Sequence, residues 1–181
     1  MNANASTSLR TPAPMLWMAL ICALGLGGTL AFSCGAPFVA VAALAAVGLN
    51  RMEGLLTVLV AWLLNQLVGF AILGYPMEGM SLVWSTLIGA AMVAGFFAAR
   101  LSVRLASPSG SAALAFATAF IVFQGAIFAA ALVLGGAEAY TFETVGWVLA
   151  LNGLAYAGLL ALHFVLKAFV ERSSSLTVPA A

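Results

Sequence analysis

Charged side chains are scarce in this sequence: only 6% of its 181 residues are Asp, Glu, Lys or Arg. A soluble domain of ordinary composition carries about 25% charged residues. Six basic and five acidic side chains cannot cover a water-facing surface, and this excludes a soluble globular protein. The net charge of +1 is also too small to predict a nucleic acid as a partner.

Cysteine and catalytic patterns are equally rare. The two cysteines, Cys22 and Cys34, form neither a disulfide framework nor a paired redox or metal motif. The sequence has no Gly-x-Ser-x-Gly elbow, no His-Glu-x-x-His and no aspartate pair. A nucleophilic pair of Cys22 and His163 stays open, although no other residue supports it. We therefore expect no enzyme, no catalytic residue, no cofactor and no resident metal ion.

Apolar sequence is what the chain has in abundance, with 65% hydrophobic residues and a mean hydropathy of +1.17. A helix that spans a membrane needs about 20 apolar residues. Six apolar runs, separated by turns, prolines or charges, predict an all-α polytopic membrane protein, a bundle of six transmembrane helices. The runs are Met15–Phe32, Ala36–Asn50, Gly54–Tyr75, Ser81–Ala99, Ser111–Gly136 and Val145–Phe169. The second is the shortest and the weakest prediction.

The basic residues predict the orientation, because cytoplasmic loops collect Lys and Arg. With six crossings all of them fall on one side: Arg10, Arg51, Arg100, Arg104, Lys167 and Arg172. The opposite loops contain Glu78, Glu138 and Glu143. We expect both termini in the cytoplasm, with an N-terminal segment over residues 1–14, a transmembrane domain over 15–169 and a tail over 170–181. Alanine- and glycine-rich usage favours a bacterial inner membrane.

Tryptophans lie toward the ends of several predicted spans. Trp17, Trp84 and Trp147 have this position. Indole rings at this depth are typical of anchors in the membrane interface. We expect that role for all three.

Neutral polar side chains lie inside the predicted spans and are the candidate binding residues. An unpartnered carboxamide in hydrocarbon is unfavourable by several kcal/mol, so these groups should face the bundle interior. They could form hydrogen bonds between helices, each worth about 0.6 kcal/mol, or line a pocket open to the outside. Both interpretations stay open. The candidates are Asn65, Gln66, Trp84, Thr86, Gln124, Asn152 and Tyr156.

Small residues recur every four positions in several spans, which allows close approach of helices. The longest such stripe, in the first span, contains Ala19, Ala23 and Gly27 and continues to Ala31. Shorter sets occur in the fourth, fifth and sixth spans, and we expect packing within the bundle for most of them. The first-span stripe could instead dock on another membrane subunit.

Six helices, cytoplasmic termini and fewer than 200 residues resemble the substrate-binding S components of energy-coupling-factor vitamin transporters. The stripe Ala19, Ala23, Gly27 is similar to the small-residue motif through which those proteins dock on a shared coupling subunit. The resemblance implies partner ATPases and a small-molecule substrate held in the extracellular half. The residues it implicates are Asn65, Trp84, Thr86, Gln124, Asn152 and Tyr156. It implies uptake of a vitamin-like nutrient.

A second function is possible for the same bundle. A membrane subunit that does not transport, but scaffolds or assembles a larger complex, would use the same small-residue faces. In either case membrane lipid is an expected partner.

Overall fold

A computed structural model describes residues 14–32, 36–107 and 110–175. All regular secondary structure in these residues is helical, which confirms the predicted all-α bundle of six helices. The helices are α1 (Pro14–Phe32), α2 (Phe38–Gly48), α3 (Arg51–Ala71), α4 (Gly79–Leu105), α5 (Ser111–Leu134) and α6 (Phe142–Ser175). Most of the predicted N-terminal segment, the turn at residues 33–35 and the last six residues of the predicted tail lie outside the described residues.

Five of these helices are long and apolar enough to cross a membrane. α2 is different, since its 11 residues extend about 16 Å, about half of a hydrocarbon core. Its residues from Val39 to Ala46 are at most 4% exposed, because all the other five helices contact it. The predicted second span is therefore a half-length helix at the centre of the bundle.

Both limits of α2 have a local cause. Pro37 occupies its N-cap position, and a proline cannot donate the backbone hydrogen bond of a continuing helix. At the other end Asn50 starts α3 with a capping box. Its side chain accepts from the backbone N–H of Glu53 at 2.9 Å, and the Glu53 carboxylate accepts from the N–H of Asn50 at 3.3 Å. This reciprocal capping fixes the start of α3 three residues after α2 ends.

Contacts between helix ends show that α1 runs antiparallel to α2 and to α6. Trp17, near the start of α1, packs against Gly48 at the end of α2. The same indole lies against the ring of His163 in the second half of α6, with centroids 4.7 Å apart. The start of α1 and the later part of α6 therefore lie at the same end of the bundle.

Arginines mark this end. Arg100, late in α4, donates from Nη1 to the carbonyl oxygen of Leu49 at 2.8 Å, and Arg51 and Arg104 line a common cavity with it. We call this end of the bundle the arginine end. It is the end that the charge pattern predicts to face the cytoplasm.

Small residues bring α4 and α5 together. Ala91 and Gly95 on α4 and Ala115 and Ala119 on α5 are all buried, and a Cβ on Gly95 would lie 3.3 Å from the carbonyl oxygen of Ala119. Packing within the bundle is thus confirmed for these two sets. The other small residues of α5 and α6 are less buried: Ala130 and Gly153 are half-buried, and Ala126, Ala157 and Ala161 are exposed.

The tryptophans divide between interior and surface. Trp147 is 59% exposed near the start of α6, whereas Trp17 is 2% exposed. The expected interfacial anchor is therefore wrong for Trp17, whose indole fills the space above Gly48. Trp84 is half-buried.

Candidate functional site

A chain of hydrogen bonds crosses α1, α3 and α4 in the apolar interior. Asn65 Nδ2 donates to Thr29 Oγ1 at 2.8 Å, and Gln66 Nε2 donates to Asn65 Oδ1 at 3.0 Å. The hydroxyl of Ser85 donates to Gln66 Oε1, and Trp62 Nε1 donates to the carbonyl oxygen of Ser85 at 2.9 Å. Both predicted amides of α3 are thus bonded to protein, and the network ties three helices together.

Thr29 extends the network on α1. Its hydroxyl donates at 2.9 Å to the carbonyl oxygen of Gly25, one turn earlier on the same helix, and its side chain is fully buried. Sequence reasoning missed Thr29 as a partner. Its position on the same stripe as Trp17, Ile21 and Gly25 was the available signal, because a buried hydroxyl needs a partner in hydrocarbon.

Asn152 on α6 caps the half-length helix α2. Its Oδ1 accepts hydrogen bonds from the backbone N–H groups of Val39 at 3.0 Å and Ala40 at 3.1 Å. Its Nδ2 donates to the carbonyl oxygen of Val148 at 2.9 Å, and the residue is 1% exposed. An N-cap side chain normally comes from the residue before the helix, but Pro37 makes no such bond. Asn152 supplies the missing cap from another helix.

Tyr156 joins α6 to the beginning of α5. Its hydroxyl donates to the carbonyl oxygen of Ala112 at 2.8 Å, and its ring lies 5.0 Å from that of Phe116. The carbonyl of Ala112 belongs to the first turn of α5. Tyr156 therefore lies toward the arginine end of the bundle, away from the α3 amides.

Gln124 is the exception among the predicted carboxamides. It is half-buried on α5, and its side chain makes no hydrogen bond to the described part of the chain. The preceding residue, Phe123, packs on Phe38 at the start of α2, with ring centroids 6.2 Å apart. Gln124 thus lies at about the depth where α2 begins. It is the predicted carboxamide whose donors and acceptor are all unused by the described residues.

Trp84 and Thr86 flank Ser85 on α4 but make no hydrogen bond to the network of which Ser85 is part. Thr86 is exposed, and its hydroxyl donates to the carbonyl oxygen of Leu82 on its own helix at 2.9 Å. With Leu82, Val83 and Leu87 it lines a surface hollow of about 350 Å³. The seven predicted binding residues therefore occupy several places: the α3 network, the cap of α2, the α5–α6 contact, the outer face of α4 and the position of Gln124.

The predicted docking residues form an unpartnered face of α1. Ala19, Ala23 and Gly27 are exposed, and a Cβ on Gly27 would meet no atom within 4 Å. The opposite face of α1, which begins with Trp17 and ends with Thr29, packs into the bundle. The stripe is therefore not used for packing within the described part of the chain.

The two side chains of the possible nucleophilic pair have other partners. Cys22 Sγ donates weakly to the carbonyl oxygen of Thr57 on α3 at 3.9 Å, and His163 lies against Trp17. Cys34 lies outside the described residues. The described residues contain no group of three His, Cys, Asp or Glu side chains placed to hold a metal ion.

The chemistry available from the predicted binding residues is hydrogen bonding by carboxamides, hydroxyls and an indole. Such groups can orient helices or a polar uncharged ligand. Comparison of the chain with protein-family models, with curated proteins and with solved structures finds no match.

Proposed function

We propose that this integral membrane protein is the substrate-capture subunit of a multi-component uptake system for a small, vitamin-like nutrient. The partners are a membrane coupling subunit and ATPases that supply the energy. Both termini lie in the cytoplasm, and the membrane is a bacterial inner membrane. The docking face is the stripe Ala19, Ala23 and Gly27, as the resemblance to S components implies.

The observation that carries this proposal is the exposure of that stripe. A helix that packs one face into its own bundle and leaves a second, small-residue face open offers a partner helix close backbone contact. The larger exposed residues Leu16 and Leu30 lie on the same side of α1 but at its two ends, before Ala19 and after Gly27, and leave the middle of the face small. The small face is therefore shaped for a helix more than for lipid chains.

Gln124 is the principal ligand-binding residue in the proposed capture function. Asn65, Gln66, Asn152 and Tyr156 are bonded to protein and serve to hold the helices that surround the ligand. Gln124 retains donor and acceptor capacity beside the start of α2. In secondary transporters, substrate sites lie near the midplane beside discontinuous helices, and a half-length helix such as α2 offers a comparable setting.

Two measurements test the capture function. Purified protein is screened by thermal unfolding against a panel of vitamins, and we expect one compound to raise the midpoint in the wild type and not in Gln124→Ala. Val122→Ala, a half-buried neighbour on the same helix, is the matched control and should keep the shift. No shift with any compound, together with normal uptake by Gln124→Ala in cells, contradicts the proposal.

Docking is tested separately with matched glycines. Gly27 and Gly125 are both exposed helical glycines whose Cβ positions are open. We expect Gly27→Leu to abolish co-purification with the coupling subunit encoded by the same organism, and Gly125→Leu to leave it unchanged. Equal co-purification of both variants contradicts docking through α1.

A second function, that of a scaffold subunit, is favoured by the hydrogen bonds of Asn65, Gln66, Asn152 and Tyr156. Side chains whose hydrogen bonds are all made to other protein groups stabilise a fixed bundle. A scaffold would migrate with a stable complex on native gels. Gln124→Leu would leave that complex unchanged, whereas the capture function requires that this variant lose its ligand.

A further inference from the structure

Three arginines converge at the arginine end of the bundle. Arg51 is the first residue of α3, and Arg100 and Arg104 lie one turn apart near the end of α4. Together with Phe97 and Leu101 they line a cavity of about 250 Å³. We call this the arginine cavity.

The positive charge in this cavity has no carboxylate partner among the described residues. The guanidinium carbon of Arg51 lies 5.5 Å from the ring centroid of Phe97, and that of Arg100 lies 6.0 Å from Phe96. Arg100 donates one hydrogen bond to the carbonyl oxygen of Leu49, and its buried Nε has no hydrogen-bond partner. Rings and a carbonyl thus hold the cations in place, and most of their hydrogen-bond donors stay available to an anion.

An apolar groove adjoins the arginine cavity. It has a volume of about 330 Å³ between α4 and α5, with Leu105, Ile121 and Val122 among its lining residues. Leu101 belongs to the lining of both the groove and the cavity. Because the helices span a membrane, the groove faces acyl chains and the cavity lies at the level of headgroups.

We propose that the arginine cavity binds the phosphate of an anionic membrane phospholipid, with an acyl chain of that lipid in the α4–α5 groove. A phosphodiester matches the planar fork of arginine. Basic pockets between helices on the cytoplasmic side are typical of sites for anionic headgroups. A soluble phosphate shares the headgroup chemistry but leaves the apolar groove empty, so the groove favours a lipid. This site is independent of the proposed capture function.

The test uses delipidated full-length protein in detergent, with lipid binding followed by native mass spectrometry. We expect dioleoyl phosphatidylglycerol to bind more tightly than dioleoyl phosphatidylcholine. The double variant Arg51→Gln, Arg104→Gln should bind dioleoyl phosphatidylglycerol about tenfold or more weakly, because each basic residue at an anionic headgroup contributes substantially to the binding free energy. Both side chains are exposed, so the fold should survive, and the thermal midpoint checks this. Arg10→Gln with Arg172→Gln makes the same change in net charge while Arg51, Arg100 and Arg104 stay intact, and should change binding by about twofold or less.

Several outcomes would overturn the proposal. Equal affinity for the two dioleoyl lipids removes the selectivity for an anion. An equal loss in the Arg10/Arg172 control assigns the effect to net charge. Binding of dihexanoyl phosphatidylglycerol as tightly as the dioleoyl lipid, with full competition by millimolar inorganic phosphate, assigns the cavity to a soluble anion and removes the lipid from the groove.

Discussion

Asn152 accepts a hydrogen bond from the backbone N–H of Val39 at 3.0 Å, across 113 positions of sequence. Through this contact α6 caps a helix that starts in the middle of the bundle. A buried helix end without partners would leave backbone N–H groups unsatisfied in hydrocarbon. The contact therefore makes a half-length α2 possible, and we expect the fold to depend on it.

Replacing Asn152 by leucine should lower the free energy of unfolding by about 1–3 kcal/mol, because two buried N–H groups lose their acceptor. Unfolding by SDS titration in mixed micelles measures this. Gln124→Leu is the matched control, since it removes a carboxamide that bonds to no described residue, and it should change the value by less than about 0.5 kcal/mol. Equal effects of the two variants would show that Asn152 does not act as the cap.

The bond between Asn65 and Thr29 should appear as an energetic coupling. Thr29→Val, Asn65→Leu and the double variant form a cycle in which we expect an interaction of about 0.6 kcal/mol, up to about 1.7 kcal/mol. The interaction energy is calculated from the unfolding free energies of the wild type and the three variants. Strict additivity would mean that the 2.8 Å contact contributes nothing to stability.

Gly48 is a position where a side chain should not fit. Its Cβ would collide with the buried indole of Trp17, so Gly48→Ala should destabilise the protein by about 1–3 kcal/mol. At Gly125 a Cβ would meet nothing within 4 Å, and there alanine should raise stability by about 0.5–1 kcal/mol because helical glycine is entropically unfavourable. Thermal midpoints that shift in the same direction would contradict this contrast.

Arg100 should matter for stability more than Arg104. Arg100→Met removes the donor to Leu49 and should cost about 1 kcal/mol. Arg104 makes no hydrogen bond to the described residues, so Arg104→Met should change stability by less than about 0.5 kcal/mol. Thermal unfolding of both variants is the measurement, and an Arg104→Met loss as large as that of Arg100→Met would be evidence against an anchoring role for Arg100.

The long helices could be predicted from the sequence because length, hydropathy and charge all depend on position along the membrane normal. The arginines at one end of the bundle agree with that prediction. The length of α2 could not be predicted in the same way. Its sequence from Ala36 to Leu49 is continuously apolar, and only the proline before it and the capping box after it limit the helix.

The direction in which each side chain faces does not follow from the apolar pattern. Lipid and bundle interior are both apolar, so hydrophobic periodicity does not tell the packed face of α1 from the open one. The Ala19 stripe and the Trp17 stripe are both compatible with burial, and only the structure places Trp17 inside. For the same reason the sequence does not show that the amide of Asn65 is bonded to protein while that of Gln124, at similar depth, makes no such bond.

The position of Asn152 also has a consequence for how the protein matures. During synthesis α2 leaves the ribosome long before α6, and its 11 residues are too short to be retained in the bilayer as an independent crossing. Its amides at Val39 and Ala40 find their acceptor only after the last helix has been inserted. The N-terminal end of α2 is therefore satisfied only once α6 has docked against it.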